Sequence, residues 1–209
     1  MAQPGKRRAL LDGALTVFGR EGYTGASIDA IAAEAAVSSR TIYNHFGDKA
    51  GLFQAVIEDS TQRVADAQVG IIEGYLRKVT DIEADLIDFG VALIRHGWGD
   101  FADHAALIRR VDAESQHVPP AAIDAWRENG PRRVVRALAA ALTRLTEEGL
   151  LDIEDADLAA SHLMVLVSGA VPFRHGIVAI GTTDLEKGVR TGVRVFLYGY
   201  STKARGERD

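Results

Sequence analysis

Between Ser27 and Phe46 the chain reads SIDAIAAEAAVSSRTIYNHF, and its last seven residues mix side chains that bond base edges with side chains that anchor a helix. Wound at about 100° per residue, Ile42 and Phe46 fall on one side, four positions apart, where they can join a core. Almost opposite lie Arg40, Thr41 and Asn44. Arg pairs with guanine, Asn with adenine, and Thr can bond a base or touch a thymine methyl. Tyr43 and His45 project to the flanks, where phosphate walls would stand on either side of a major groove. The pattern implies a helix that reads DNA. An ordinary solvated helix could carry the same residues, so the flanking sequence decides.

That flanking sequence is ordered around a corner. Ile28, Ile31, Ala32 and Ala35 give a preceding helix with one apolar stripe, capped by Ser27 and carrying Asp29 near its positive end. Val37 closes the corner and Ser38 caps the second helix, which makes a helix-turn-helix. Gly47-Asp48-Lys49 then breaks the chain, and Leu52, Phe53, Val56 and Ile57 start a longer amphipathic helix.

With these elements in place, Lys6 to Ile57 resembles the N-terminal domain of TetR-type transcriptional repressors. The resemblance rests on Ala14, Phe18 and Gly22-Tyr23, then on Ser27-Ile28 with Ile31-Ala32. It continues through Val37-Ser38, Thr41-Ile42-Tyr43, His45-Phe46, Lys49 and Leu52-Phe53. It implies DNA contact by Ser27, Ser38, Ser39, Arg40, Thr41, Tyr43, Asn44, His45 and Lys49. One position departs from the family: Ala36 stands where glycine is usual. If the corner needs positive φ there, alanine costs on the order of 1 kcal/mol.

Composition sets limits. The 209 residues are 47% hydrophobic, enough for a substantial core with a small appended module. With no cysteine, disulfides, thiolate metal sites and cysteine nucleophiles are excluded. No apolar run approaches about 18 residues and the start lacks a signal-peptide pattern, so the expectation is a soluble, cytoplasmic chain. The net charge is −5, but residues 1–50 hold six Lys or Arg against five Asp or Glu. Phosphate contact would therefore rest on a local patch of Lys6, Arg7, Arg8 and Lys49.

The remainder reads as helix throughout, with apolar spacing of three to four and no alternating β-branched run. Helices are expected near 5–21, 48–75, 82–96, 101–115, 121–128, 131–148, 155–171 and 183–201, besides the two of the corner. The fold class is all-α: a helix-turn-helix domain over 1–50 and a helical ligand-binding and dimerisation domain over 51–209. Residues 158–171 are apolar nearly all round, and the last helix carries Leu185, Val189, Val193, Phe196, Leu197 and Tyr200 in one stripe. One body could bury such helices in its own centre. The TetR resemblance implies instead a four-helix dimer interface, through Leu163, Leu166 and Val167 on one helix and Val189, Val193, Phe196, Leu197 and Tyr200 on the other. A dimer would let two recognition helices read a palindrome about 34–36 Å between centres.

Residues 85–94, 106–116 and 125–142 resemble the ligand-domain pattern of an AefR-like subgroup, which implies a small-molecule inducer. Trp98, Phe101, Arg109, Trp126, His162, Met164, Phe173 and His175 offer the apolar wall and sparse polar groups of such a pocket. Asp100 and His104 have the i, i+4 spacing of metal ligands, but a loop and helix cap explain them as well. No metal and no cofactor is expected, and no catalytic motif is present. Two other readings stay open: an all-helical enzyme using the His/Asp cluster near 96–104, and an interaction module whose Arg40 face binds protein. A gel shift with the chain's own upstream DNA separates both from a regulator.

Overall fold

Among the described residues the apolar spacing is realised as ten helices. The computed structural model describes residues 4–96, 100–168 and 182–200. The helices are α1 (Pro4–Gly25), α2 (Ile28–Glu34), α3 (Ser39–Phe46), α4 (Lys49–Leu76) and α5 (Ile82–Arg95). They continue as α6 (Ala102–Ala113), α7 (Pro120–Asn129), α8 (Pro131–Glu147), α9 (Ala156–Ser168) and α10 (Thr182–Tyr200). No strand occurs among the described residues. The expected all-α class is therefore borne out.

Helix ends follow local chemistry. Ser27 accepts a hydrogen bond from the Ala30 amide at 3.1 Å, and Ser38 accepts one from Thr41 at 3.2 Å, each satisfying a free amide of a first turn. Asp48 does the same for Gly51 at 2.8 Å, starting α4. Asp81 caps α5 through Ala84 at 3.0 Å. Pro120 and Pro131 open α7 and α8, where a missing amide is harmless.

The chain divides by packing into two units, residues 1–66 with 97–132 and residues 67–96 with 133–209. In the first unit α6 and α7 share a core with α1 to α3. In that first unit Leu10, Ala14, Phe18, Ile31, Ile42, Phe53, Ile57 and Leu107 are all buried. The Phe18 and Phe53 rings meet edge to face at 4.9 Å, and Tyr23 joins Phe53 at 4.8 Å. In the second unit α5, α9 and α10 pack together. Gly192 lets α10 approach α9 so closely that a Cβ there would lie 2.4 Å from the Leu166 carbonyl oxygen.

The corner between α2 and α3 carries one unfavourable residue. Ala36 adopts φ 52°, the left-handed region. Its amide bonds Ala33 O at 3.2 Å and the Val37 amide bonds Ala32 O at 2.9 Å, the paired closure that ends a helix with a left-handed residue. The expected need for positive φ is met by alanine, whose Cβ strains that conformation. Ala36→Gly should stabilise the protein by about 0.5–1 kcal/mol, the strain relief exceeding glycine's entropic cost. Denaturant unfolding measures this; a destabilised variant would show that the corner is unstrained.

Inside the first unit, His104 Nδ1 lies 3.1 Å from the hydroxyl of Ser60, itself only 2% exposed. Burial, helped by the Arg63 charge, pushes its pKa down to about 4. In the unfolded chain an imidazole titrates near 6.5. The unfolded state therefore binds the extra proton first, and stability present above pH 6.5 is lost as pH falls towards 4. Between pH 7.5 and 5 this group should remove about 2 kcal/mol. Unfolding His104→Asn beside the parent protein at both pH values checks it; an equal pH slope in both would contradict the assignment.

Candidate nucleic-acid interface

Helix α3 is anchored on one face and offered on the other. Ile42 is fully buried, whereas Arg40, Asn44 and His45 are exposed and Tyr43 is 51% exposed. The helix is eight residues long and begins at a capped corner, so its outward side chains project from a fixed base. Arg40 and Asn44 lie one turn apart on the outer face, with a spacing that suits two neighbouring base pairs.

The hydroxyl residues of the corner serve the local structure. Ser27 and Ser38 cap their helices, and the Ser38 hydroxyl also lies 2.9 Å from that of Thr41. Ser39 donates to Asp29 at 2.7 Å, tying α3 to α2. All but Ser39 and Thr41 are exposed, those two being half-buried.

The expected phosphate patch is placed unevenly. Lys6 and Arg7 are exposed on the first turns of α1, and the Arg7 guanidinium lies 6.0 Å over the Phe46 ring. Arg8 instead forms ion pairs with Asp12 and with Asp59, the latter at 3.0 Å. Its hydrogen bond holds the Asp12 carboxyl below the usual carboxylate range. Lys49 is also engaged internally: its ammonium donates to Thr24 O at 3.3 Å and lies 4.9 Å over the Tyr23 ring. Arg8 and Lys49 thus hold helices together, which sequence spacing alone does not reveal.

The proposed pocket residues are scattered. Trp98, Phe173 and His175 lie outside the described residues. Phe101 lines an open cleft of about 610 Å³ in the first unit, with Asp12, Arg63 and His104. Arg109 is exposed and borders a separate groove of about 380 Å³ beside Gly19. Trp126 packs half-buried against the first unit's core. His162 and Met164 belong to the second unit, where His162 Nδ1 lies 2.7 Å from the Tyr200 hydroxyl.

The apolar stripe chosen for a subunit contact needs correction. Leu163, Val167, Val189 and Val193 are fully buried and Phe196 is 1% exposed within the single chain, so they form its own core. Leu166, Leu197 and Tyr200 are half-buried. The opposite face carries the exposed apolar side chains: Leu158 and Val165 on α9, Val195 and Tyr198 on α10, the last 75% exposed. Because α9 and α10 are apolar on two faces, their sequence did not say which one the protomer keeps for itself.

Known proteins share this arrangement. Residues 10–56 match "Bacterial regulatory proteins, tetR family", and residues 85–202 match "AefR-like transcriptional repressor, C-terminal domain". The HTH-type transcriptional regulator BetI of Cronobacter sakazakii is 32% identical over 170 residues, covering 80% of this chain and 78% of its own. A TetR-family transcriptional regulator from Mesorhizobium loti superposes with TM-score 0.83 at 28% identity, over 95% of this chain and 98% of that one. A transcriptional regulator from Saccharomonospora viridis, solved in complex with choline, gives TM-score 0.69 at 23% identity, over 93% and 96%. The second likeness shows the fold alone. With α3 anchored by Ile42 and polar on its exposed face, and the AefR-like pattern over most of the rest, the protein belongs to the TetR family of DNA-binding transcriptional regulators and is not an enzyme.

Proposed function

We propose that this regulator is a repressor that binds a palindromic operator as a homodimer and releases it when a small molecule enters its helical body. The observation that carries the reading is α3, with Ile42 buried and Arg40 and Asn44 presented together on the outside. One such helix reads only a few base pairs, and a two-fold pair reads enough to be selective. Residues 1–50 supply this reading, and residues 51–209 supply the dimer contact and the ligand core.

The dimer contact is best supported on the outer face of α9 and α10. Leu158, His162 and Val165 recur at four- and three-residue steps, as do Thr191, Val195 and Tyr198. Gly192, next to Thr191, lets α10 lie close against α9 at Leu166, next to Val165. Exposed apolar patches of this kind mark contact with another protein. The ligand is a small molecule set by the lining of the body; a neighbour of the same fold holds choline. Helix α4 runs unbroken from Lys49 to Leu76 through the boundary at Asp66, a covalent route from ligand core to reader. Ligand binding would act by favouring dimers whose reading helices no longer match successive grooves.

Arg40→Ala and Asn44→Ala should each cost about 1–3 kcal/mol of operator affinity and relax preference at one position per half-site. Tyr43→Phe and His45→Ala should weaken operator and random DNA together, and Lys6→Ala should lower the salt slope by about one unit. Selection of binding sites from random duplexes gives the answer. An unchanged site for Arg40→Ala would remove α3 from the reading role.

For assembly, Val195→Glu or Val165→Glu should give a folded monomer, whereas Val193→Glu should unfold because that side chain is buried in its own chain. Sedimentation with thermal unfolding distinguishes them. A folded Val195→Glu dimer would place the interface elsewhere.

A further inference from the structure

Beyond its break at Gly22, α1 ends in a short turn that includes Thr24 and leads into the link to α2, and this turn is held from outside the three reading helices. The Glu114 carboxylate, at the end of α6, accepts from the Thr24 amide at 2.8 Å and from the Thr24 hydroxyl at 2.7 Å. From α4, Lys49 donates to the Thr24 carbonyl. All three polar groups of one residue are therefore gripped. One turn back on α6, Arg110 donates to the Arg20 carbonyl at 2.9 Å, satisfying an acceptor near the end of α1.

Space for this grip is provided by Gly22, which breaks α1 at φ 78°, a conformation glycine adopts without strain. A Cβ on Gly22 would fall 1.8 Å from Glu114 Oε1. The carboxylate thus occupies the place a side chain would take. Burial opposes its ionisation, but the two Thr24 bonds and the charges of Arg110 and His117 outweigh that and hold its pKa below the ordinary value.

We propose that Glu114 is a positioning residue for DNA recognition, its grip on Thr24 fixing the angle at which α2 and α3 leave α1. The proposal rests on α3 being the reading helix. A base edge is read within a few tenths of an ångström, so a loosened link degrades specific contacts more than phosphate contacts, which tolerate small rotations. Position of α6 is then felt by the reader through this polar grip as well as through the shared core.

The test uses the full chain, a duplex selected by the unaltered protein from a random pool, and a random-sequence duplex. Glu114→Ala should weaken the selected duplex about 5- to 20-fold and the random one less than about twofold. Glu114→Gln, whose amide oxygen can accept both Thr24 bonds, should recover most of the loss. Thr24→Val should show a smaller selective loss, and the double variant should bind no worse than Glu114→Ala alone. Unchanged affinity for the selected duplex, or equal losses on both duplexes, overturns the proposal. If Glu114→Ala does not fold, Thr24→Val decides: a selective loss supports the proposal and none overturns it. Arg40→Ala separates the two readings. A loss there with full affinity in Glu114→Ala overturns only the positioning role, and no loss in Arg40→Ala overturns the role of α3.

Discussion

A single helix, α1, has to satisfy two neighbours. Leu10, Leu11, Ala14, Val17 and Phe18 bury it against both the α2–α3 corner and α6, and Phe18 meets Phe53 of α4 edge to face. A helix-turn-helix of two short helices buries too little apolar surface to fold alone, since seven- and eight-residue helices are marginal without packing. Its geometry is borrowed from this shared core. Everything the reading face does depends on α1 being held by residues such as Leu107 and Val111, which are distant in sequence.

Around that core the polar groups divide by job. Capping serines and Asp48 settle the helix ends, while Arg8, Arg63 and Lys49 tie α1 and the α1–α2 link to α4. Their charges are engaged within the chain; among the described residues 4–50, Lys6, Arg7, Arg20 and Arg40 are the exposed Lys and Arg, and Arg20 is paired with Glu21 and Glu34. A reader with few free cations and a net negative chain leans on base contacts for affinity more than a broadly basic one does. The alanine at the corner, Ala36, holds a left-handed conformation that its Cβ strains.

Much of this was legible in the residues. Periodicity and break residues located the helices seen among the described residues, because their core faces are spaced at three to four residues. Ala36 stood out because the family that the chain resembles usually has glycine there, and its φ of 52° shows the left-handed turn that this departure raised. Other features were hidden for identifiable reasons. Glu114 and Thr24 are ninety positions apart and look like ordinary surface residues until α6 is placed. Arg8 and Lys49 had the composition of a phosphate patch, and only their neighbours show them tied inward. In α9 and α10, Val167 and Val165 are equally apolar, yet one is buried and the other 70% exposed. Hydrophobicity marks a face for burial but does not say against which partner.

Sharing one core, the reading helices and α6 should open as one cooperative unit. Native-state amide hydrogen exchange under mild denaturant tests it most directly, since it gives an opening free energy for each helix. The most protected amides of α2–α3 and those of α6, near Leu107 and Val111, should share one opening free energy and respond alike to denaturant. A helix-turn-helix that opens at much lower free energy while α1 and α6 stay closed would contradict it.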